Sequence, residues 1–171
     1  MNLPTWITVS RLFGVPFLLW GLRLDLSGDR TLQWLMVAVF LLAAGTDWLD
    51  GYLARRLNQV TDLGKFLDPL VDKLLVMAPL MALVELGKVP AWGVFLILAR
   101  ELTIAGWRVS PSQGTVSGAN VWGKVKTVVQ IMAIALLIAP LPLGILPIAM
   151  FWVAVGLTWL SGAIYLLPGR S

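Results

Sequence analysis

Hydrophobic residues occur in six long runs, separated by short polar stretches or stretches containing glycine and proline. The runs cover about residues 11–24, 31–44 continuing into 47–56, 62–86, 91–109, 121–139 and 143–167. Each is near the ~20 residues that a helix needs to cross a bilayer. Residues 2–10 are mixed, with Pro4 suited to a first helical turn and Trp6 to a membrane interface. The pattern predicts an all-α integral membrane protein, one domain over residues 1–171, with six transmembrane helices and a short N-terminal interfacial segment.

Composition supports a membrane protein and restricts its chemistry. The chain is 58% hydrophobic and only 13% charged, with a mean hydropathy of +0.85. Soluble domains are usually ~45–50% apolar and ~25% charged. Without cysteine or histidine, disulfides, thiolate metal sites and the commonest general base are excluded. The net charge of +4 indicates cytoplasmic loops and an anionic ligand rather than nucleic acid, which we do not expect as a partner.

Basic residues are distributed unevenly between the two ends of the predicted spans. Six spans alternate sides, so both termini should share a side with the 57–61 and 110–120 connections. That side carries ten of the thirteen basic residues, and the other carries Arg23, Arg30 and Lys88. The positive-inside rule therefore predicts a multi-pass protein of the inner (cytoplasmic) membrane with both termini in the cytoplasm. Some of the ten are also candidate ligands for substrate.

Four aspartates interrupt the second and third runs: Asp47, Asp50, Asp68 and Asp72. One charge near the bilayer centre costs roughly 2.5–3.5 kcal/mol, so four unpaired aspartates would cost on the order of 10 kcal/mol. Helical projection puts Asp47 and Asp50 in one arc of about 100° with Gly51 and Ala54. Gly64, Asp68 and Asp72 are spaced by four and form a stripe on the next helix. The short connection predicts antiparallel neighbours whose stripes can face each other.

Converging carboxylates favour bound hard cations such as Mg²⁺, Mn²⁺ or Ca²⁺, and two divalent ions would balance four negative charges. Such a pair makes two-metal phosphoryl transfer possible. Gly51, Ala54 and Gly64 leave room for a ligand near the backbone, and Arg55 offers a fork for a phosphate. The alternative is that the small residues serve only helix packing, and that the acids pair with nearby Arg and Lys residues.

A second basic group follows on the fourth and fifth runs: Arg100, Arg108, Lys124 and Lys126. Arg100 and Arg108 are eight residues apart and share roughly one helix face. An anionic acceptor, such as a polyol phosphate, would explain these cations beside the acid cluster. Glu101 can pair with Arg100 or Arg108 and orient them. The alternative is that the cations are positive-inside anchors.

The aspartate stretch matches a known pattern at all eight defined positions. The string Asp47-x2-Asp50-Gly51-x2-Ala54-Arg55-x8-Gly64-x3-Asp68-x3-Asp72 resembles the signature of the CDP-alcohol phosphotransferase family. The resemblance implies a six-helix membrane enzyme, a homodimer, with two divalent ions (Mg²⁺ or Mn²⁺) held by the four aspartates. It implies Asp72 as the base for the acceptor hydroxyl. It also implies a CDP-lipid site lined by Gly51, Ala54, Arg55 and Gly64.

Three sequence segments outside the signature resemble the branch of that family that makes phosphatidylglycerophosphate. The similar segments are 2–11, 98–108 and 123–130. The resemblance implies phosphatidyl transfer from CDP-diacylglycerol to glycerol 3-phosphate, with Arg100, Arg108, Lys124 and Lys126 near the acceptor phosphate. Siblings using inositol phosphate or phosphatidylglycerol remain an alternative. A divalent-cation transporter is another, although a transport site should lie near the midplane rather than at one end of the spans.

Overall fold

The computed structural model has six α-helices in the part of the chain that it describes. The structure describes residues 3–24, 29–56, 62–109 and 121–166, and side chains at 13–24, 29–46, 70–106 and 122–164. The helices are α1 (Leu3–Leu24), α2 (Arg30–Arg56), α3 (Asp62–Glu85), α4 (Ala91–Val109), α5 (Val121–Ile138) and α6 (Leu146–Leu166). The prediction of an all-α protein with six helices is confirmed.

Local sequence explains where several helices begin and end. The Asp29 carboxylate accepts a hydrogen bond from the Thr31 amide at 2.8 Å and caps the start of α2. After α3, Gly87 has a φ of 67°. The Gly87 and Lys88 amides donate to the carbonyls of Val84 and Leu83 at 3.0 and 2.9 Å. This Schellman motif closes the helix with a conformation that glycine adopts readily.

Residues 3–24 form one continuous helix, and Pro4 lies in its first turn, where its missing N–H costs nothing. The interfacial position of the N-terminal segment stays a prediction. One predicted boundary was wrong. The sixth helix begins at Leu146 rather than at 143, because Gly144 adopts a φ of 55° that a helix cannot include. Thr61, predicted as a helix cap, lies outside the described residues.

The core lies between the helices and is almost entirely apolar. Phe40, Leu83, Ile97, Ile138 and Phe151 are each almost completely buried. In the described part of the chain, α1 packs along both α2 and α3, α4 packs on α6, and α5 packs on α6, α2 and α3. Gly93 allows the contact between α4 and α6, since a Cβ there would lie 2.4 Å from the Phe151 ring.

Large hydrophobic side chains also cover the outside of the bundle. All six helices present them, including Trp20, Trp34, Met81, Trp92, Val128 and Trp159. Such a surface is typical of a protein surrounded by lipid or by another apolar partner. Among the described residues, one helical segment, Leu146–Ile164, is long and apolar enough to cross a bilayer. Phe13–Leu24 and Arg30–Thr46 are shorter apolar segments.

Candidate functional site

One ion pair identifies which helix ends lie together. Arg23 Nη2 is 3.5 Å from Glu85 Oε1, so the C-terminal ends of α1 and α3 meet. Only residues 25–29 separate α1 from α2, and only 86–90 separate α3 from α4. The first turns of α2 and α4 therefore lie near this same end, which we call the Arg23–Glu85 end.

The predicted acids lie on helices α2 and α3, away from the Arg23–Glu85 end. Asp47 and Asp50 are in the second half of α2, Asp68 and Asp72 are in the first half of α3, and the two helices touch. Asp72 precedes Glu85 by thirteen residues, or about 20 Å along a helix axis. We call this opposite region the Asp72 end. Five of the eight signature positions belong to the second half of α2: Asp47, Asp50, Gly51, Ala54 and Arg55.

Asp72 is the one signature residue whose side chain the structure describes, and it is half-buried. The backbone at the other positions is helical, but their side chains lie outside the described residues: Asp47, Asp50, Gly51, Ala54, Arg55, Gly64 and Asp68. Among the described side chains, no group of three or more acids, histidines or cysteines could hold a metal. The donor chemistry of the signature still fits a metal, because four carboxylates on two touching helices are the oxygen ligands that Mg²⁺ and Mn²⁺ prefer.

A buried ion cluster joins α4 to α5. Glu101 Oε1 accepts a hydrogen bond from Arg100 Nη1 at 3.1 Å and a second one from Lys126 Nζ. The side chains of Arg100 and Lys126 are only 10% and 9% exposed. The expected pairing of Glu101 with Arg100 is confirmed, and Lys126 is a second partner. We call these three residues, two cations and one carboxylate, the Arg100–Glu101–Lys126 cluster.

The other two predicted acceptor residues lie outside this cluster. Lys124 is exposed and lies two residues nearer the start of α5, so it points to a different side of the helix from Lys126. Arg108 belongs to the last turn of α4, and its side chain lies outside the described residues. The structure thus brings together Arg100 and Lys126, which the sequence separates by 26 positions. Arg100 is the middle residue of α4, and Lys126 lies in the first half of α5.

Helix α6 contributes polar residues that sequence reasoning missed. Ser161 Oγ accepts a hydrogen bond from Arg100 Nη2 at 2.9 Å, and Thr158 Oγ1 accepts one from Gln130 Nε2 at 2.8 Å. All four of these side chains are buried. The available signal was the presence of Thr158 and Ser161, three residues apart, in a helix otherwise rich in apolar residues.

Comparison with known proteins identifies the family. The family model described as CDP-alcohol phosphatidyltransferase matches residues 1–160. The chain belongs to the CDP-alcohol phosphatidyltransferase family. The resemblance found in the aspartate signature is thereby confirmed. This is a family of membrane proteins, and its members are generally dependent on divalent metal.

Several relatives are similar to this chain over nearly its whole length. A Bacillus subtilis protein named CDP-diacylglycerol–glycerol-3-phosphate 3-phosphatidyltransferase is 44% identical over 181 residues, covering 96% of this chain and 93% of its own. A Sodalis glossinidius protein with the same name is 34% identical, covering 99% and 96%. A Mycobacterium tuberculosis protein named probable phosphatidylglycerophosphate synthase is 37% identical, covering 96% and 79%.

Proposed function

We propose that this chain transfers the phosphatidyl group of CDP-diacylglycerol to glycerol 3-phosphate, giving phosphatidylglycerophosphate and CMP. The names of relatives up to 44% identical over nearly the whole chain support this reaction. The structural observation that carries it is the buried Arg100–Glu101–Lys126 cluster, which holds an arginine and a lysine inside the bundle. An arginine fork beside a lysine suits a phosphate, whereas an acceptor without a phosphate needs no such pair of cations.

The signature residues supply the chemistry at the donor. Asp47, Asp50, Asp68 and Asp72 would hold two divalent ions, Mg²⁺ or Mn²⁺, which supply Lewis acidity at the diphosphate. The acceptor hydroxyl oxygen attacks the phosphorus that carries the lipid. The pyrophosphate P–O bond breaks, and CMP leaves with its electron pair. Asp72 accepts the hydroxyl proton as attack proceeds, since the chain has no histidine.

The remaining signature residues and the basic residues of α4 and α5 divide between the two substrates. Gly51, Ala54 and Gly64 leave space for the cytidine and diphosphate, and Arg55 binds a phosphate oxygen. Arg100 and Lys126 bind the acceptor phosphate from within the bundle. Arg108 and Lys124 are its other proposed ligands. A planar arginine fork beside a lysine point charge suits a phosphate with several acceptor oxygens.

The membrane arrangement is also a proposal. All six helices cross the inner membrane as one domain over residues 1–171, with the Asp72 end and both termini in the cytoplasm. The hydrophobic outer surface of every described helix supports this arrangement, as does the excess of basic residues on one side. The protein works as a homodimer, as the family resemblance implies.

Reconstitution of the purified chain tests the reaction. We expect CMP release only when CDP-diacylglycerol, glycerol 3-phosphate and Mg²⁺ or Mn²⁺ are all present, and its loss with EDTA and return on adding metal. No metal-dependent CMP release with glycerol 3-phosphate would reject the proposal. Release only with inositol phosphate or phosphatidylglycerol would identify a sibling enzyme, whereas Mn²⁺ flux into liposomes without CMP release would identify a transporter.

A further inference from the structure

Arg100 is held from two sides by hydrogen bonds. Nη1 donates to Glu101 at 3.1 Å, and Nη2 donates to the Ser161 hydroxyl at 2.9 Å. That hydroxyl donates in turn to the Thr158 carbonyl at 3.0 Å. Its proton is therefore directed at the α6 backbone and a lone pair faces the guanidinium. These two bonds use two of the five guanidinium N–H groups and leave the Nε–H and one N–H on each terminal nitrogen.

Gly162 leaves the space that this arginine occupies. A Cβ at position 162 would lie 2.9 Å from Arg100 Nε and 3.3 Å from its Cγ. Nε is completely buried and has no hydrogen-bond partner among the described residues. The side chain therefore lies close against the α6 backbone, and residue 162 can carry no side chain unless the guanidinium moves.

A second pair of hydrogen bonds fixes α5 against α6 nearby. Gln130 Nε2 donates to Thr158 Oγ1 at 2.8 Å, and that hydroxyl donates to the Ala154 carbonyl at 2.6 Å. Gln130 lies one turn after Lys126 on α5. The helix that carries Lys126 and the helix that supports Arg100 are thus joined at the level of the cluster.

We propose that Ser161 and Gly162 are positioning residues that fix the Arg100 guanidinium for binding the acceptor phosphate. This inference rests on the proposed function. Arginine has many rotamers, and a fork bound in advance on two sides loses less freedom when it binds an anion. Ser161 sets the direction of Nη2, and Gly162 sets how closely the side chain approaches α6. Neither residue touches the substrate.

Two substitutions with matched controls test the assignment. Ser161→Ala removes the hydroxyl that Arg100 binds, and Gly162→Ala displaces the guanidinium. Thr103→Ala is the control for the first, because it deletes an exposed hydroxyl bonded only to the backbone of its own helix. Gly156→Ala is the control for the second, because it lies on the same helix and a Cβ there meets nothing within 4 Å.

The measured quantities are the KM values for glycerol 3-phosphate and CDP-diacylglycerol, with kcat and the melting temperature in detergent. We expect Ser161→Ala and Gly162→Ala each to raise the acceptor KM about tenfold, the effect of losing one hydrogen bond to a charged group. The lipid KM should change less than about twofold, as should both KM values in the control variants.

A double-mutant cycle separates positioning from general packing. Arg100→Lys removes Nη2, so Ser161→Ala made in that background should change the acceptor KM less than about twofold further. Equal rises in both KM values, failure of the variants to fold, or an undiminished Ser161 effect in the Arg100→Lys background would each overturn the inference. Absence of CMP release by the unmodified chain would instead reject the proposed function, before any variant is compared.

Discussion

Two regions of the bundle each join an arginine to a glutamate, in opposite surroundings. At the Arg23–Glu85 end, the two side chains are 73% and 64% exposed and lie 3.5 Å apart. In the middle of α4, Arg100 and Glu101 are 10% and 16% exposed and lie 3.1 Å apart, and Glu101 also binds Lys126. The exposed pair is free to separate, whereas the buried cluster is held by three helices.

This difference indicates what each pair contributes. An exposed pair is solvated in either state and stabilises a fold by no more than about 1 kcal/mol. Burying two cations with one carboxylate costs desolvation free energy that their mutual attraction only partly offsets. Stability alone therefore does not account for the Arg100–Glu101–Lys126 cluster, whereas the proposed binding of the acceptor phosphate would give its two cations a function.

The largest expected contrast between the two ends is in activity. Asp72→Asn removes the proposed base and a proposed metal ligand while keeping the side-chain shape. We expect CMP release to fall about a thousandfold, within the range for loss of a general base. The measurement is initial rate at saturating CDP-diacylglycerol and glycerol 3-phosphate.

Asp29→Asn is the matched control at the Arg23–Glu85 end. Asn also caps helices well, so the bond to the Thr31 amide can be replaced and the rate should stay within about twofold of the unmodified chain. Full activity of Asp72→Asn would reject Asp72 as the base. An equal loss in Asp29→Asn would show that the two ends are not functionally distinct.

Much of the fold follows from local sequence. The six helices follow from apolar runs, and the end of α3 was predicted to within one residue because Gly87 and Pro90 interrupt the pattern. The start of α6 was not predicted as closely. Pro140 and Pro142 indicated a helix beginning directly after them, whereas the positive φ of Gly144 delays the helix to Leu146. The exact limits of helices thus depend on backbone conformations that hydropathy does not register.

The candidate site also has features that local sequence predicts and features that depend on how the helices pack. Helical spacing relates Asp68 to Asp72 directly, so the signature can be recognised along the chain. The Ser161 contact joins residues 61 positions apart, and local periodicity carries no information about such a contact. Glu101 could be predicted to pair with Arg100 because the two are adjacent, but its bond to Lys126 depends on how α4 packs near α5.

The next largest contrast is in stability. Glu101→Gln leaves two buried cations without their shared carboxylate, and we expect a loss of about 3 kcal/mol in unfolding free energy. Glu85→Gln makes the same substitution at the exposed pair and should cost less than about 1 kcal/mol. Denaturant unfolding of the detergent-solubilised protein, followed by circular dichroism, measures both. Similar losses of unfolding free energy in the two variants would contradict the proposed difference between the buried cluster and the exposed pair.

The smallest expected effect is the coupling between Arg23 and Glu85 themselves. A double-mutant cycle with Arg23→Ala and Glu85→Ala should give a coupling free energy of about 0.2–1 kcal/mol, because both side chains remain largely in solvent. Raising the salt concentration to about 1 M should reduce that coupling toward zero, since the Debye length falls to about 3 Å. The same salt should leave the cost of Glu101→Gln nearly unchanged, because buried charges are screened much less. A coupling at Arg23–Glu85 that exceeds about 2 kcal/mol, or that resists salt, would mean that this pair is as desolvated as the Arg100–Glu101–Lys126 cluster.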